Sequence, residues 1–255
     1  MKVLFIGDVY GSRGMKALEI LLPEIKATYK PHIIIVNGEN AANGRGINKK
    51  IYTQMMSMGI HAVTMGNWVW GNQELFSFIE ESNIVRPLNF PKAPGQGYLM
   101  LNFNHQKVLI INALGRTFMN PNLDDPFKAI EQLIAREKAD YVIVDFHAEA
   151  TSEKVALGHY LDGKVNLLVG THTHIPTADE RKLPQGTLYI TDVGMTGPVN
   201  GVIGVSKEIV IERFLNGFAR PNEVALGAIQ MNAVLADLTA KTIQRIHFKI
   251  FHKSE

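Results

Sequence analysis

Residues 165–174 read Val-Asn-Leu-Leu-Val-Gly-Thr-His-Thr-His, an apolar run that stops abruptly at two histidines. Short apolar runs closed by glycine are the pattern of strands buried on both faces, which belong to parallel sheets. Side chains alternate along a strand, so the spacing predicts that His172 and His174 point the same way. Two imidazoles at the carboxyl end of a strand suit metal ligation. Two loop histidines are equally what an ordinary surface presents, so the other strand ends decide between the readings.

The arrangement recurs along the chain. Lys2–Ile6 is apolar and stops at Gly7-Asp8, and Ile33–Asn37 stops at Gly38-Glu39-Asn40. His61–Met65 is followed by Gly66-Asn67-Trp68, and Tyr141–Asp145 by Phe146-His147. The first three runs read as strand–loop–helix units, with helices expected near Met15–Tyr29 and from an Asn48 cap to Met58, closed by Gly59. Pro23 predicts a kink or restart in the first helix. Such units imply an α/β fold whose parallel strands carry the site at their carboxyl ends. Further along, a short strand is expected at Ile84–Arg86 and a hairpin over Tyr98–Phe103 and Lys107–Asn112. Asp125-Pro126 should open a helix to about Lys138, and Ser152 should cap another that stops near Gly163. Thr187–Thr191 reads as a strand and Asp192–Gly204 as a glycine-bearing loop. The alternating C-terminal segment around Ile246, Phe248 and Ile250 suits an antiparallel strand paired with Val224–Leu235.

Composition narrows the function. At 255 residues, 46% of them hydrophobic, the chain can bury a sizeable core, and with no repeat or linker a single domain over 1–255 is the economical reading. No apolar run approaches the ~20 residues that span a bilayer. The absence of cysteine excludes disulfides and thiolate ligands, leaving nitrogen and oxygen donors for any metal. A cytoplasmic location is the default for such a chain. A net charge of +2 without basic runs argues against a surface for long nucleic acid.

Taken singly, each donor has a structural explanation: Asp8 as a turn cap, Asn67 as a left-handed turn residue, His147 as a core histidine. Together Asp8, Glu39, Asn40, Asn67, His147, His172 and His174 are two carboxylates, two amides and three imidazoles. That is too many for one tetrahedral zinc with an open position, and about right for two metals sharing a bridging carboxylate. Metal pairs ~3.5–4 Å apart suit in-line displacement at phosphorus. A sulfur-free shell suits Fe, Mn or Zn. The glycine-rich stretch at 7–14 lacks the Gly-Lys-[Ser/Thr] ending of a phosphate loop, and no Gly-x-Ser-x-Gly elbow occurs.

The ordered set GD (7–8), GEN (38–40), GN (66–67), DFHAEATSEK (145–154) and GTHTHIPTAD (170–179) resembles the calcineurin-like metallophosphoesterases, and with TDVGMTGP (191–198) their YmdB-like branch. The resemblance implies a two-sheet β-sandwich flanked by helices, the four-layer αββα metallophosphoesterase fold. It also implies a binuclear centre, phosphodiesterase activity on 2′,3′-cyclic nucleotides, and a homo-oligomer. On that resemblance Asp8, Glu39, Asn40 and His174 would hold one ion. Glu39 would bridge to a second, completed by Asn67, His147 and His172, with Asp145 and Asp192 as candidates to orient an imidazole. The expected partner is a small phosphodiester or nucleotide.

One position departs. The family carries Gly-Asn-His after the third strand, where the histidine protonates the leaving oxygen or holds the phosphoryl group. This chain has Trp68. An indole N–H donates a hydrogen bond but does not titrate, so the general acid is missing. The tryptophan could instead stack on a nucleobase, or His159 in the helix after His147 could supply the proton. Trp70 is expected to be ordinary packing. A metal-bound sensor or scaffold with little turnover, and a phosphomonoesterase, remain alternative functions.

Overall fold

In the computed structural model, the structure describes residues 1–119, 122–218 and 220–251. In chain order the first elements are β1 (Lys2–Ile6), β2 (Asp8–Val9), α1 (Gly11–Tyr29), β3 (Ile33–Asn37), α2 (Lys49–Ser57), β4 (Ala62–Thr64) and β5 (Ile84–Val85). There follow β6 (Tyr98–Phe103), β7 (Gln106–Leu114), α3 (Pro126–Arg136), β8 (Tyr141–His147), α4 (Thr151–Tyr160) and β9 (Leu167–Thr171). The last part holds β10 (Arg181–Lys182), β11 (Leu188–Ile190), β12 (Met195–Pro198), β13 (Gly201–Val202), β14 (Val205–Ser206), α5 (Lys207–Asn216), β15 (Ile229–Asp237) and β16 (Thr242–Ile250).

The apolar runs become the parallel centres of two sheets. One sheet runs β2-β12-β15-β1-β3-β4-β5, with β16 also on β15. Its strands β1, β3, β4 and β5 are mutually parallel, and β15 is antiparallel to β1. The other runs β10-β11-β9-β8-β7-β6, with β11, β9, β8 and β7 parallel. Its edge strand β6 forms a hairpin with β7 through Asn104 and His105, both at positive φ (48° and 63°), as a tight primed turn requires.

Strand alternation sends each run two ways. Val3, Phe5, Ile33 and Ile35 meet Val108, Ile110, Ile143 and Val169 between the sheets. Leu4, Ile6, Ile34 and Val36 turn outward onto Leu18, Leu22, Ile25 and Met55 of α1 and α2. On the far side Leu109, Ile111, Val144 and Leu168 pack with Ile130, Leu133 and Leu157 of α3 and α4. No helix among the described residues is long and apolar enough to cross a membrane.

Several local expectations are corrected. Helix α1 starts at Gly11 rather than Met15 and passes Pro23 without a restart. Pro23 and the residue one turn earlier, Glu19, lie on the exposed face, so water can serve the freed carbonyl while Leu18, Leu21, Leu22 and Ile25 stay buried. The third unit has no α-helix; β4 is followed by 3₁₀ turns over Val69–Gly71, Gln73–Ser77 and Ile79–Glu81, with the Asn72 side chain accepting from the Glu74 N–H at 3.0 Å to start the second. Ala150, not Ser152, occupies the N-cap of α4, and no side chain caps that helix. The expected loop Asp192–Gly204 contains β12, whose parallel pairing with β2 at Met195↔Asp8 extends the first sheet. Strand β15 begins at Ile229, five residues later than expected; Val224 makes only an isolated bridge to Val205. Asn48 and Asp125 do cap α2 and α3, accepting from the N–H groups of Ile51 and Phe127.

Candidate functional site

The carboxyl ends of β1, β3, β4, β8 and β9 open on one rim, and the structure brings all seven donors there. Asp8, Glu39, Asn40, His147 and His174 are buried, and Asn67 and His172 half-buried. The first sheet supplies Asp8, Glu39, Asn40 and Asn67; the second supplies His147, His172 and His174.

Around His147 Nε2 lie Glu39 Oε1 at 3.0 Å, His172 Nδ1 at 3.0 Å and Asn67 Oδ1 at 3.1 Å. The opposite ring atom, Nδ1, is 2.8 Å from the Thr171 hydroxyl, which itself donates to Asp145 Oδ1 at 2.7 Å. With that hydroxyl proton committed to Asp145, the bonding pattern places the ring proton on Nδ1 and leaves Nε2 a bare lone pair. Asp145 therefore orients the imidazole through Thr171 rather than directly, and Asn37 Nδ2 steadies its other oxygen at 3.0 Å.

The second group follows the same logic. The Ile203 carbonyl, 2.8 Å from His174 Nδ1, can only accept, so Nδ1 carries the proton and Nε2 presents a lone pair. That lone pair faces Asn40 Oδ1 at 3.2 Å, while the Asn40 amide nitrogen is turned away to donate to the Gly44 carbonyl at 3.0 Å. The His172 N–H donates to Asp8 Oδ2 at 3.3 Å, and Asp8 Oδ1 is buried without a hydrogen-bond partner among the described residues.

The electrostatics suit a cradle for positive charge. Burial pushes the Asp8 and Asp145 carboxyls up to about 7 and raises Glu39 as well. Burial also holds His147 and His172 down at about 4 and lowers His174, so the three rings are neutral at pH 7. Acceptors facing acceptors across about 3 Å, with neutral imidazoles between carboxylates, cost desolvation without return. A divalent cation satisfies them at once, and the mixed nitrogen and oxygen set fits such ions. Glu39, His147 and His172 already present ligand atoms within 4.8 Å of one another.

The expectation that strand alternation aligns His172 with His174 is corrected. Strand β9 ends at Thr171, and both histidines follow it at positive φ, 101° and 66°. Non-glycine residues held there cost about 1–3 kcal/mol each. Asp192 holds the turn: its Oδ2 accepts from the Thr173 N–H at 3.1 Å, the Thr173 hydroxyl at 2.8 Å and Lys154 Nζ at 2.7 Å. It touches neither ring. Lys154 and Asp192 are each 1% exposed, a buried ion pair beneath the histidine turn.

A cavity of about 300 Å³ opens above the donors, lined by Glu39, Asn40, His172 and His174 and, at its mouth, by Arg45, Trp68 and Glu149. Trp68 is 37% exposed, and its backbone N–H donates to Glu39 Oε2 at 3.0 Å. His159 is exposed on α4 and does not line this cavity. Trp70 stacks on Phe76 with centroids 5.1 Å apart, in the packing beside the site. Sequence reasoning assigned no role to Thr171, Lys154, Glu149 or Arg45, although the first three lie inside the motifs at 145–154 and 170–179.

A family model described as "YmdB-like protein" matches residues 4–250. The 2′,3′-cyclic-nucleotide 2′-phosphodiesterase of Bacillus subtilis (strain 168) is 48% identical over 246 residues, covering 95% of this chain and 93% of that one. Among solved structures, a hypothetical protein of Thermus thermophilus superposes with a TM-score of 0.93 at 43% identity, covering 98% and 99% of the two chains. A structure titled as a novel phosphatase from Mycoplasma pneumoniae gives 0.92 at 38% identity, covering 98% and 93%.

Proposed function

The chain belongs to the YmdB-like family, and from that premise we propose that it is a metal-dependent phosphodiesterase acting on small diesters such as 2′,3′-cyclic nucleotides. The observation that carries this reading is the convergence of bare lone pairs from seven side chains of two sheets on one rim. Asp8, Glu39, Asn40 and His174 would hold one divalent ion, and Glu39, Asn67, His147 and His172 the other. Fe, Mn or Zn would fit the shell. Ions bound there supply an activated water and offset charge on the phosphoryl oxygens.

The chain's own residues do the rest. The Trp68 N–H fixes the Glu39 carboxylate, and the Thr171–Asp145 relay fixes the tautomer of His147. The cavity accepts a mononucleotide-sized ligand, and its walls bring Arg45 and Trp68 beside the reacting group. Trp68 in the acid's position means that proton delivery to the leaving oxygen is weak. That one feature also favours a second reading, a metal-bound nucleotide sensor with little turnover. The proposal includes a single domain over 1–255, a cytoplasmic location and a homo-oligomer.

The test is turnover of 2′,3′-cyclic nucleotides by protein loaded with Mn²⁺ or Fe²⁺. Hydrolysis that disappears on chelation and returns with metal is expected. A loaded protein that binds nucleotide but hydrolyses no phosphodiester leaves the sensor reading in its place. Within the same scheme, Thr171→Val cuts the link between His147 and Asp145, and metal affinity should fall ~10–100-fold in a competition titration. Unchanged affinity would remove the relay from the account.

A further inference from the structure

Among the described residues lining the cavity, Arg45 is the only one with a fixed positive charge, and it stands beside the position from which the acid is missing. Its guanidinium carbon lies 4.4 Å from the centroid of the Trp68 ring. An exposed arginine is ordinarily free to wander; here the loop that carries it is pinned by backbone hydrogen bonds and its guanidinium rests on an indole. The loop after β3 is folded back on a metal-ligand candidate, with the Gly44 N–H donating to the Asn40 carbonyl at 2.9 Å and the Gly44 carbonyl accepting from the Asn40 side chain. The Arg45 N–H donates to the Ala42 carbonyl at 3.1 Å and the Ala42 N–H to the Gly46 carbonyl at 2.9 Å. This loop lies directly against the one after β4. A Cβ on Gly46 would come within 2.7 Å of the Asn72 nitrogen, and one on Gly71 within 3.2 Å of the Arg45 carbonyl carbon. Two glycines thus let the loops touch, and the contact sets the guanidinium over the indole.

We propose that Arg45 is a catalytic residue that takes over part of the lost acid's task, holding the leaving oxygen by charge and hydrogen bonding instead of by proton transfer. The inference rests on the phosphodiesterase reading. In the step concerned, a water oxygen forms the new bond to phosphorus and gives its proton to solvent. The ribose oxygen–phosphorus bond breaks, its electron pair stays on the ribose oxygen, and that oxygen takes a proton from solvent. Arg45 faces the charge that builds on the ribose oxygen before the proton arrives, and its guanidinium N–H groups donate hydrogen bonds to that oxygen while keeping their protons. The indole beneath it orients the planar fork by a cation–π contact.

The test compares Arg45→Met and Arg45→Lys with the parent protein, all metal-loaded and checked for equal metal content, across aryl and alkyl phosphodiesters of graded leaving-group basicity. Arg45→Met should lose ~10²-fold on 2′,3′-cyclic nucleotides, the usual cost of removing one donor aimed at developing charge. It should lose far less on bis-nitrophenyl phosphate, so that the slope of rate against leaving-group basicity steepens. Arg45→Lys should fall between, keeping charge without the fork. In a Trp68→His background the loss should shrink, because the restored acid does the same work. A parent that hydrolyses diesters while Arg45→Met matches it on every substrate, or loses the same factor on all of them, overturns this inference alone. A parent without any diesterase activity overturns the phosphodiesterase reading and this inference with it.

Discussion

Trp68→His raises hydrolysis of 2′,3′-cyclic nucleotides by ~10²–10⁴-fold, the usual contribution of a positioned general acid, or roughly 3–5 kcal/mol of barrier. The substitution should leave the candidate metal cradle intact. What residue 68 gives Glu39 is its backbone N–H, at 3.0 Å, and that bond is indifferent to the side chain. The residue sits at the head of a 3₁₀ turn with φ −94° and ψ 15°, which histidine adopts as readily as tryptophan. The side chain lines the cavity beside Arg45, so an imidazole there opens into the same space as the candidate metal donors. Bis-nitrophenyl phosphate supplies the control, because a nitrophenolate departs without a proton and its rate should stay level. A variant in which both rates move together, or neither moves, shows that position 68 is not where proton delivery fails.

The second large effect is on stability. Lys154→Met leaves the Asp192 carboxylate charged and 1% exposed with no cation near it. Breaking a buried pair by removing one partner costs about 3–5 kcal/mol, which in a chain of this size lowers Tm by roughly 10 °C. Because Asp192 also holds Thr173 between His172 and His174, loss of the lysine should loosen the histidine turn and weaken metal binding in parallel. Adding Asp192→Asn should restore part of the stability, since the orphaned charge is then gone; the double-mutant cycle by thermal or denaturant unfolding reads the coupling. A Tm within a degree or two of the parent would remove the buried Lys154–Asp192 pair from the account of stability.

The sequence carried the frame of the fold because its central strands are buried on both faces, so Val3–Ile6, Ile33–Val36 and Val142–Val144 stand out as uninterrupted apolar runs. Polar side chains that cap helices were equally readable at Asn48 and Asp125, where side-chain oxygens meet free N–H groups. What stayed hidden depends on partners distant in sequence. Strand β12 was hidden in a glycine-rich segment because Met195–Pro198 becomes a strand only by pairing with β2 and β15. Helix α1 begins early because Gly11, at φ +55°, turns the chain into it with no side-chain cap to announce the start. The donors of the site were legible as a set since each lies within a few residues of the carboxyl end of an apolar strand. Their supports were not, since Thr171, Lys154 and the Ile203 carbonyl matter only through the ring or carboxylate they meet across the fold.

The seven donors come from both sheets, four from one and three from the other, at the end of the seam where the two apolar faces meet. A ligand that binds them closes that seam like a clasp on a book. Filling the site and docking the sheets are therefore one thermodynamic event viewed from two sides: whatever tightens the docking sharpens affinity, and whatever occupies the rim stiffens the sandwich behind it. Residues such as Phe5 and Val169, buried in the seam, thereby become determinants of how tightly the site holds its charge.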